Sequence, residues 1–173
     1  MRAWQHIRAI LLLPVMATIV IPAALLSVFG WDSIGVWGIH PAIRPTLSII
    51  GAVLSLAGFG LAATTIRQFA TVGRGTLAPW NPTEKLVVQG VYRYVRNPMI
   101  SGVMGVLLGE AMISASVAIL IWFCVFVLSN TSYIPLYEEP GLVKRFGDEY
   151  EVYRRNVPRW IPRLTPWESG DGF

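Results

Sequence analysis

The sequence predicts an all-α fold: a polytopic membrane helical bundle of about four transmembrane helices, the last two a helical hairpin, with a cytoplasmic C-terminal helical tail. Three observations carry that expectation. Hydrophobic residues make up 54% of the 173 and charged residues only 14%. The apolar residues are gathered into blocks of about the ~20 residues that a helix needs to cross a bilayer. The basic residues, in turn, gather in alternate connections between those blocks, and so on one side. At this length one domain, 1–173, is expected.

The first block, Ala9–Phe29, runs 21 residues without a charge, and the second, Pro45–Ile66, runs 22. Spans are placed at about 9–29 and 45–66. Arg2 and Arg8 precede the first block as they would in a signal peptide, but the run exceeds a usual h-region, which favours an uncleaved first span. The third block, Asn97–Tyr137, totals 41 residues and is broken only by Glu110. That is close to two crossings, placed at about 97–113 and 116–137, with a turn near Ser114–Ser116. Four apolar helices buried in a soluble protein would leave too little polar surface to cover them.

Charge sets the orientation. Four spans put both termini on one side, together with the connection between the second and third spans. Thirteen Lys and Arg residues then share that side and only Arg44 lies on the other. The positive-inside rule assigns the basic side, and both termini, to the cytoplasm. A three-span alternative would expose the six basic residues of the tail outside. Trp31, Trp37, Trp160 and Trp167 suit membrane interfaces. The net charge of +4 is thereby explained by topology rather than by nucleic acid.

Two polar segments remain, about 76–102 and 138–162. The first contains Asn81-Pro82-Thr83-Glu84, which reads as a helix start, and a short helix or extended piece over 84–89 ending at Gly90. The second has Leu142, Val143 and Phe146 at helical spacing, a break at Gly147, and Asp148 able to cap a further helix carrying Tyr150 and Tyr153. Taken blandly, these arginines snorkel to phosphates, the tyrosines belong to an interfacial belt, and Gly102 and Gly105 allow close helix packing. The density of such residues in two short cytoplasmic segments points instead to a pocket where a polar cofactor meets a hydrophobic acceptor from the bilayer. Asn97-Pro98 would start the third helix there, with N–H groups able to bind anionic or polar groups.

The segment "GVYRYVRNPMISG" resembles the G-x-Y-R-x-x-R-H/N-P-x-Y-x-G signature of the isoprenylcysteine carboxyl methyltransferase family and the related membrane phospholipid methyltransferases. "EEPGLVKRFGDEYEVYRRNVPRWIP" is similar to the closing pattern of that family, E-E-x-x-L-x-x-x-F-G-x-x-Y-x-x-Y followed by V-P and I-P. The resemblance covers about Thr76 to Pro162. It implies an integral membrane methyltransferase using S-adenosyl-L-methionine on a lipid or other hydrophobic acceptor. It further implies that Tyr92, Arg96, Asn97, Pro98 and Gly102, with Glu139, Tyr150 and Tyr153, line the cofactor site. A carboxylate acceptor would need only a cation to orient it, for which Arg154 and Arg155 are the candidates. A phenol, amine or thiol would need a base, for which Glu138 or Glu139 would serve. Three positions depart from the pattern: Asn97 stands for the usual histidine, Ile100 for a tyrosine, and Asn156 for an arginine before V-P.

Two other classes compete. One is a membrane NADPH-dependent reductase of sterol-reductase-like type. The other is a non-enzymatic protein that binds membrane lipids through its basic tail. No metal site is expected: Cys124 is the single cysteine, and His6 and His40 are far apart. Glu110, 13 residues after Asn97 and so about 20 Å along a helix, is expected at the outer interface near the hairpin turn.

Overall fold

Every described residue of the computed structural model is helical, in a turn or irregular; residues 14–31, 41–71, 86 and 88–168 are described. Arg2, Arg8, residues 9–13 of the first block, Trp37 and the helix-start signal at 81–84 lie outside them. The elements are α1 (Met16–Phe29), α2 (Arg44–Thr71), a 3-10 turn at Gly90–Arg93, α3 (Pro98–Ser114), α4 (Val117–Tyr133), α5 (Glu139–Phe146) and α6 (Asp148–Asn156).

Proline shapes two of these helices. Pro22 and Pro135 each lack the N–H that an α-helix interior needs. The chain opens into a wider π-helical segment beside each, at Met16–Val20 within α1 and at Ile134–Glu138 between α4 and α5. The helix therefore continues without a break from Val117 to Phe146, where the sequence suggested a span ending near 137 and a separate tail helix. Two helices, Arg44–Gln68 and Val117–Phe146, are long and apolar enough to cross a membrane, each with a mean hydropathy of 2.0 over its best window. Only 17% and 11% of those windows are buried, so these helices are apolar on faces that the protein does not cover, as lipid-facing helices are. Two shorter apolar helices accompany them, Met16–Phe29 and Pro98–Ser114.

The chain divides into two compact units. The first comprises residues 1–60 and 102–129. Here α2 and α3 touch through their backbones. A side-chain carbon on Gly51 would come 2.7 Å from the Gly109 carbonyl oxygen, and one on Gly58 would come 2.5 Å from that of Gly102. Small residues let two apolar helices approach this closely. Val103 and Leu107 of α3 pack with Ala17 of α1, and Trp122, Phe123 and Phe126 of α4 close over them. The Trp122 indole N–H donates to the Ala17 carbonyl at 2.9 Å. Between α3 and α4 the chain turns at Ala115, whose φ is +46°, within the Ser114–Ser116 stretch expected for the turn.

The second unit comprises residues 61–101 and 130–173. Its core is Tyr150, Tyr153 and Val157, packed against Leu142, Val143 and Phe146 of α5 and Trp167 near the chain end. α5 stops at Gly147, where φ is +55°, and α6 starts directly after it. Asp148 is the first residue of α6 and not its cap; the cap position is Gly147 and no side chain serves it.

Candidate functional site

The second unit brings the two motif segments together. After the 3-10 turn, residues 93–96 run alongside the end of the tail. The Arg96 N–H donates to the Pro158 carbonyl, the Arg163 N–H to that of Tyr94, and the Trp167 N–H to that of Arg93, each at 2.9 Å. Side chains add to this lacing. The Tyr153 hydroxyl donates to the Tyr92 carbonyl at 2.7 Å, the Ser101 hydroxyl to the Trp160 carbonyl at 2.8 Å, and Arg93 Nε to the Trp167 carbonyl at 2.8 Å.

Arg96 lies at the centre. Its side chain is 10% exposed and its Nη1 reaches Glu139 Oε1 at 2.7 Å. Glu139, 5% exposed, also takes both arms of Arg159, at 2.7 Å to Oε1 and 2.8 Å to Oε2. A buried carboxylate held by two guanidinium groups through charge-assisted hydrogen bonds is a strong, geometrically specific joint. Those bonds hold the Arg159 guanidinium still further above its ordinary range. The joint leaves a donor over: Arg96 Nε is buried and has no acceptor among the described residues.

The tyrosines line the joint. The Tyr150 hydroxyl sits 3.5 Å from Arg96 Nη1. Burial and the Glu139 charge push that phenol up to about 12, against the opposing pull of Arg96. Burial likewise raises Tyr153 and Tyr92, the latter aided by Tyr153 and Glu138. These phenols are therefore neutral hydrogen-bonding groups near neutral pH.

Of the residues expected at the site, Tyr92, Arg96, Asn97, Glu139, Tyr150 and Tyr153 are gathered in this unit. Pro98 is fully buried where α3 begins, and Asn97 Nδ2 lies 3.4 Å from the Arg159 carbonyl oxygen. Tyr150 and Tyr153 are each 3% exposed, with their rings among the apolar side chains of the tail. Gly102 lies in the first unit, against Gly58. Glu138 is exposed at the end of the π segment. Arg154 is paired with Glu151 at 2.9 Å on the surface of α6, and Arg155 is exposed beside it without an ion-pair partner among the described residues. Arg159, Arg93 and Ser101 were not anticipated. Arg159 directly follows the V-P pair, and that position was the available signal. Among the described residues no group of His, Cys, Asp and Glu could hold a metal ion.

A model of the phospholipid methyltransferase family matches residues 46–149, from α2 into α6. The chain belongs to the phospholipid methyltransferase family. Curated relatives include the protein-S-isoprenylcysteine O-methyltransferase of Schizosaccharomyces pombe, 37% identical over 84 residues. That stretch is 49% of this chain and 36% of the relative. The methanethiol S-methyltransferase 2 of Bradyrhizobium diazoefficiens is 38% identical over 77 residues, 43% of this chain and 27% of the relative. This family member thus matches well under half the length of either curated relative. Among solved structures, the eukaryotic intramembrane Ras methyltransferase ICMT (isoprenylcysteine carboxyl methyltransferase) aligns with a TM-score of 0.54 and 22% identity. The alignment covers 90% of this chain and 53% of that one, and it shows a shared fold. Family and apolar helices together make the chain an integral membrane protein.

Proposed function

We propose that this protein transfers a methyl group from S-adenosyl-L-methionine to a hydrophobic, lipid-like acceptor at the cytoplasmic face of a membrane. Four spans, with both termini in the cytoplasm, would set the Arg-Asn-Pro segment and the tail on that face. The observation that carries the reading is Arg96: a buried guanidinium, fixed by Glu139, whose Nε–H lacks an acceptor among the described residues. A cofactor with an amino-acid carboxylate supplies the acceptor that this donor lacks, so the residues present fit it.

In this reading Arg96 binds that carboxylate, and Asn97 and Pro98 form the adjoining wall at the start of α3. Glu139 and Arg159 are positioning residues: they hold Arg96 in a single orientation. Tyr150 and Tyr153 keep the tail closed over the 3-10 turn and exclude water. The bound cofactor supplies a methyl group on a sulfonium, already electrophilic, so alignment and desolvation remain the protein's work. For a carboxylate acceptor, Arg155 is the cation still available to orient it, with Arg154 second because Glu151 already engages it. For a thiol, amine or phenol, Glu138 is the available base, since both Glu139 oxygens are occupied. The curated relatives are named for O-methyl and S-methyl transfer, which leaves both chemistries within the reading.

Calorimetry on the detergent-solubilised chain with S-adenosylhomocysteine tests this directly. Saturable binding is expected, weakened at least tenfold by Arg96→Ala. Absence of binding, with NADPH binding in its place, would overturn it. Methyl incorporation from labelled S-adenosyl-L-methionine into lipid extracts would identify the acceptor.

A further inference from the structure

The first unit contains a half-open cavity of about 300 Å³ bordered by α1, Trp31, the end of α3 and the start of α4. Its walls are mainly aliphatic, and the one ionisable side chain in them is Glu110. The Oε2 atom of Glu110 is buried and has no hydrogen-bond partner among the described residues. The wall contains two hydroxyls, and both have committed their protons elsewhere. Thr18 donates to the Pro14 carbonyl at 2.8 Å, and Ser114 donates to the Glu110 backbone carbonyl at 2.6 Å. Among the described residues no hydroxyl of the wall serves Glu110 Oε2, which is left to meet a donor on an occupant of the cavity.

We infer that this cavity is a binding site for a lipophilic ammonium ion, a primary amine carrying a short apolar chain. A carboxyl in an apolar segment is costly unless its charge and its hydrogen bonds are met. An ammonium meets both, with three donors and an opposite charge, whereas an alcohol meets only the hydrogen bond. Trp31 lines the same cavity and keeps 64% of its surface exposed, so the cavity opens at an aromatic rim. The π face of an indole attracts a cation passing it. The aliphatic wall then takes the chain. The volume is at the small end of ligand pockets and has room for about ten non-hydrogen atoms, which a whole phospholipid exceeds. Glu110 lies twelve residues beyond Pro98, about 18 Å along α3. The site does not depend on the methyl-transfer reading.

The probe is n-octylammonium, with n-octanol as its neutral counterpart, titrated calorimetrically into the whole chain in nanodiscs of zwitterionic lipid. Wild type should bind octylammonium saturably, above the partitioning seen with empty discs. Glu110→Gln, which keeps the side-chain shape, should weaken that binding at least tenfold and leave octanol unchanged. Trp31→Leu, at a largely exposed position, should weaken it several-fold. Equal affinity for octanol and octylammonium, unchanged binding in Glu110→Gln, or a wild-type titration no different from empty discs would each overturn the assignment.

Discussion

Arg96 and Glu139 stand 43 positions apart in sequence and meet at 2.7 Å. This contact ties the start of α3 to the start of α5, and Arg159 completes it from the far end of the tail. The two motif segments are thus mechanically one object.

Removing the shared anion should show this most clearly. Glu139→Ala leaves the buried Arg96 without its counter-charge, and loss of one member of a buried pair costs about 3–5 kcal/mol. Thermal unfolding in detergent should fall accordingly, and limited proteolysis should cut the tail first. Arg154→Ala, which removes only a surface pair, should change stability by less than about 1 kcal/mol.

Arg96→Lys separates charge from geometry. Lysine keeps the positive charge facing Glu139 but has no planar fork to hold that carboxylate while offering Nε elsewhere. The tail should stay protease-resistant, whereas S-adenosylhomocysteine affinity drops at least tenfold. Wild-type affinity in this variant would place the cofactor carboxylate elsewhere.

Tyrosine titration offers a test without a ligand. Burial raises the Tyr150 phenol, so the folded state holds its proton more tightly than the unfolded chain does. The stability this contributes is complete below the ordinary value of 10.0 and is lost as pH rises towards about 12. The difference in phenolate absorbance between wild type and Tyr150→Phe should therefore show a step near 12. A step at the ordinary value would show an open tail.

Two neighbouring glycines should respond in opposite ways. Gly58→Ala places a methyl group 2.5 Å from the Gly102 carbonyl oxygen, and α2 must then move off α3. Overpacking of this kind costs about 1–3 kcal/mol. Gly60→Ala meets nothing within 4 Å and replaces a poor helix former with a good one, so stability should hold or rise by about 0.5–1 kcal/mol. Detergent unfolding of the two variants side by side checks both.

Much of this was legible in the sequence because it is local or periodic. Apolar run lengths marked the helices, the Ser-Ala-Ser stretch marked the turn, and the two motifs gave the family and Arg96 with five of the residues that share its unit. Tertiary pairing was not legible. Nothing in the order of residues says that Arg159, rather than Arg154 or Arg155, turns inward; that follows from where Val157-Pro158 redirects the chain after α6. The resemblance implies Gly102 at the cofactor site, whereas its close approach to Gly58 depends on which helix packs against it. Glu110 is near the turn, as expected, but its side chain lines the cavity beside α1, a choice between helix faces that depends on what packs opposite.

The π segment at Ile134–Glu138 has a consequence for the two adjoining glutamates. Each residue advances an α-helix by about 100°, and a π turn closes its hydrogen bond over five residues where an α turn closes it over four. The segment acts as a phase shifter ahead of α5. Glu139 faces inward to the two arginines and its neighbour Glu138, about 100° round the helix, faces outward. Deleting one residue here, with every side chain of the joint intact, would rotate the carboxylate away from Arg96.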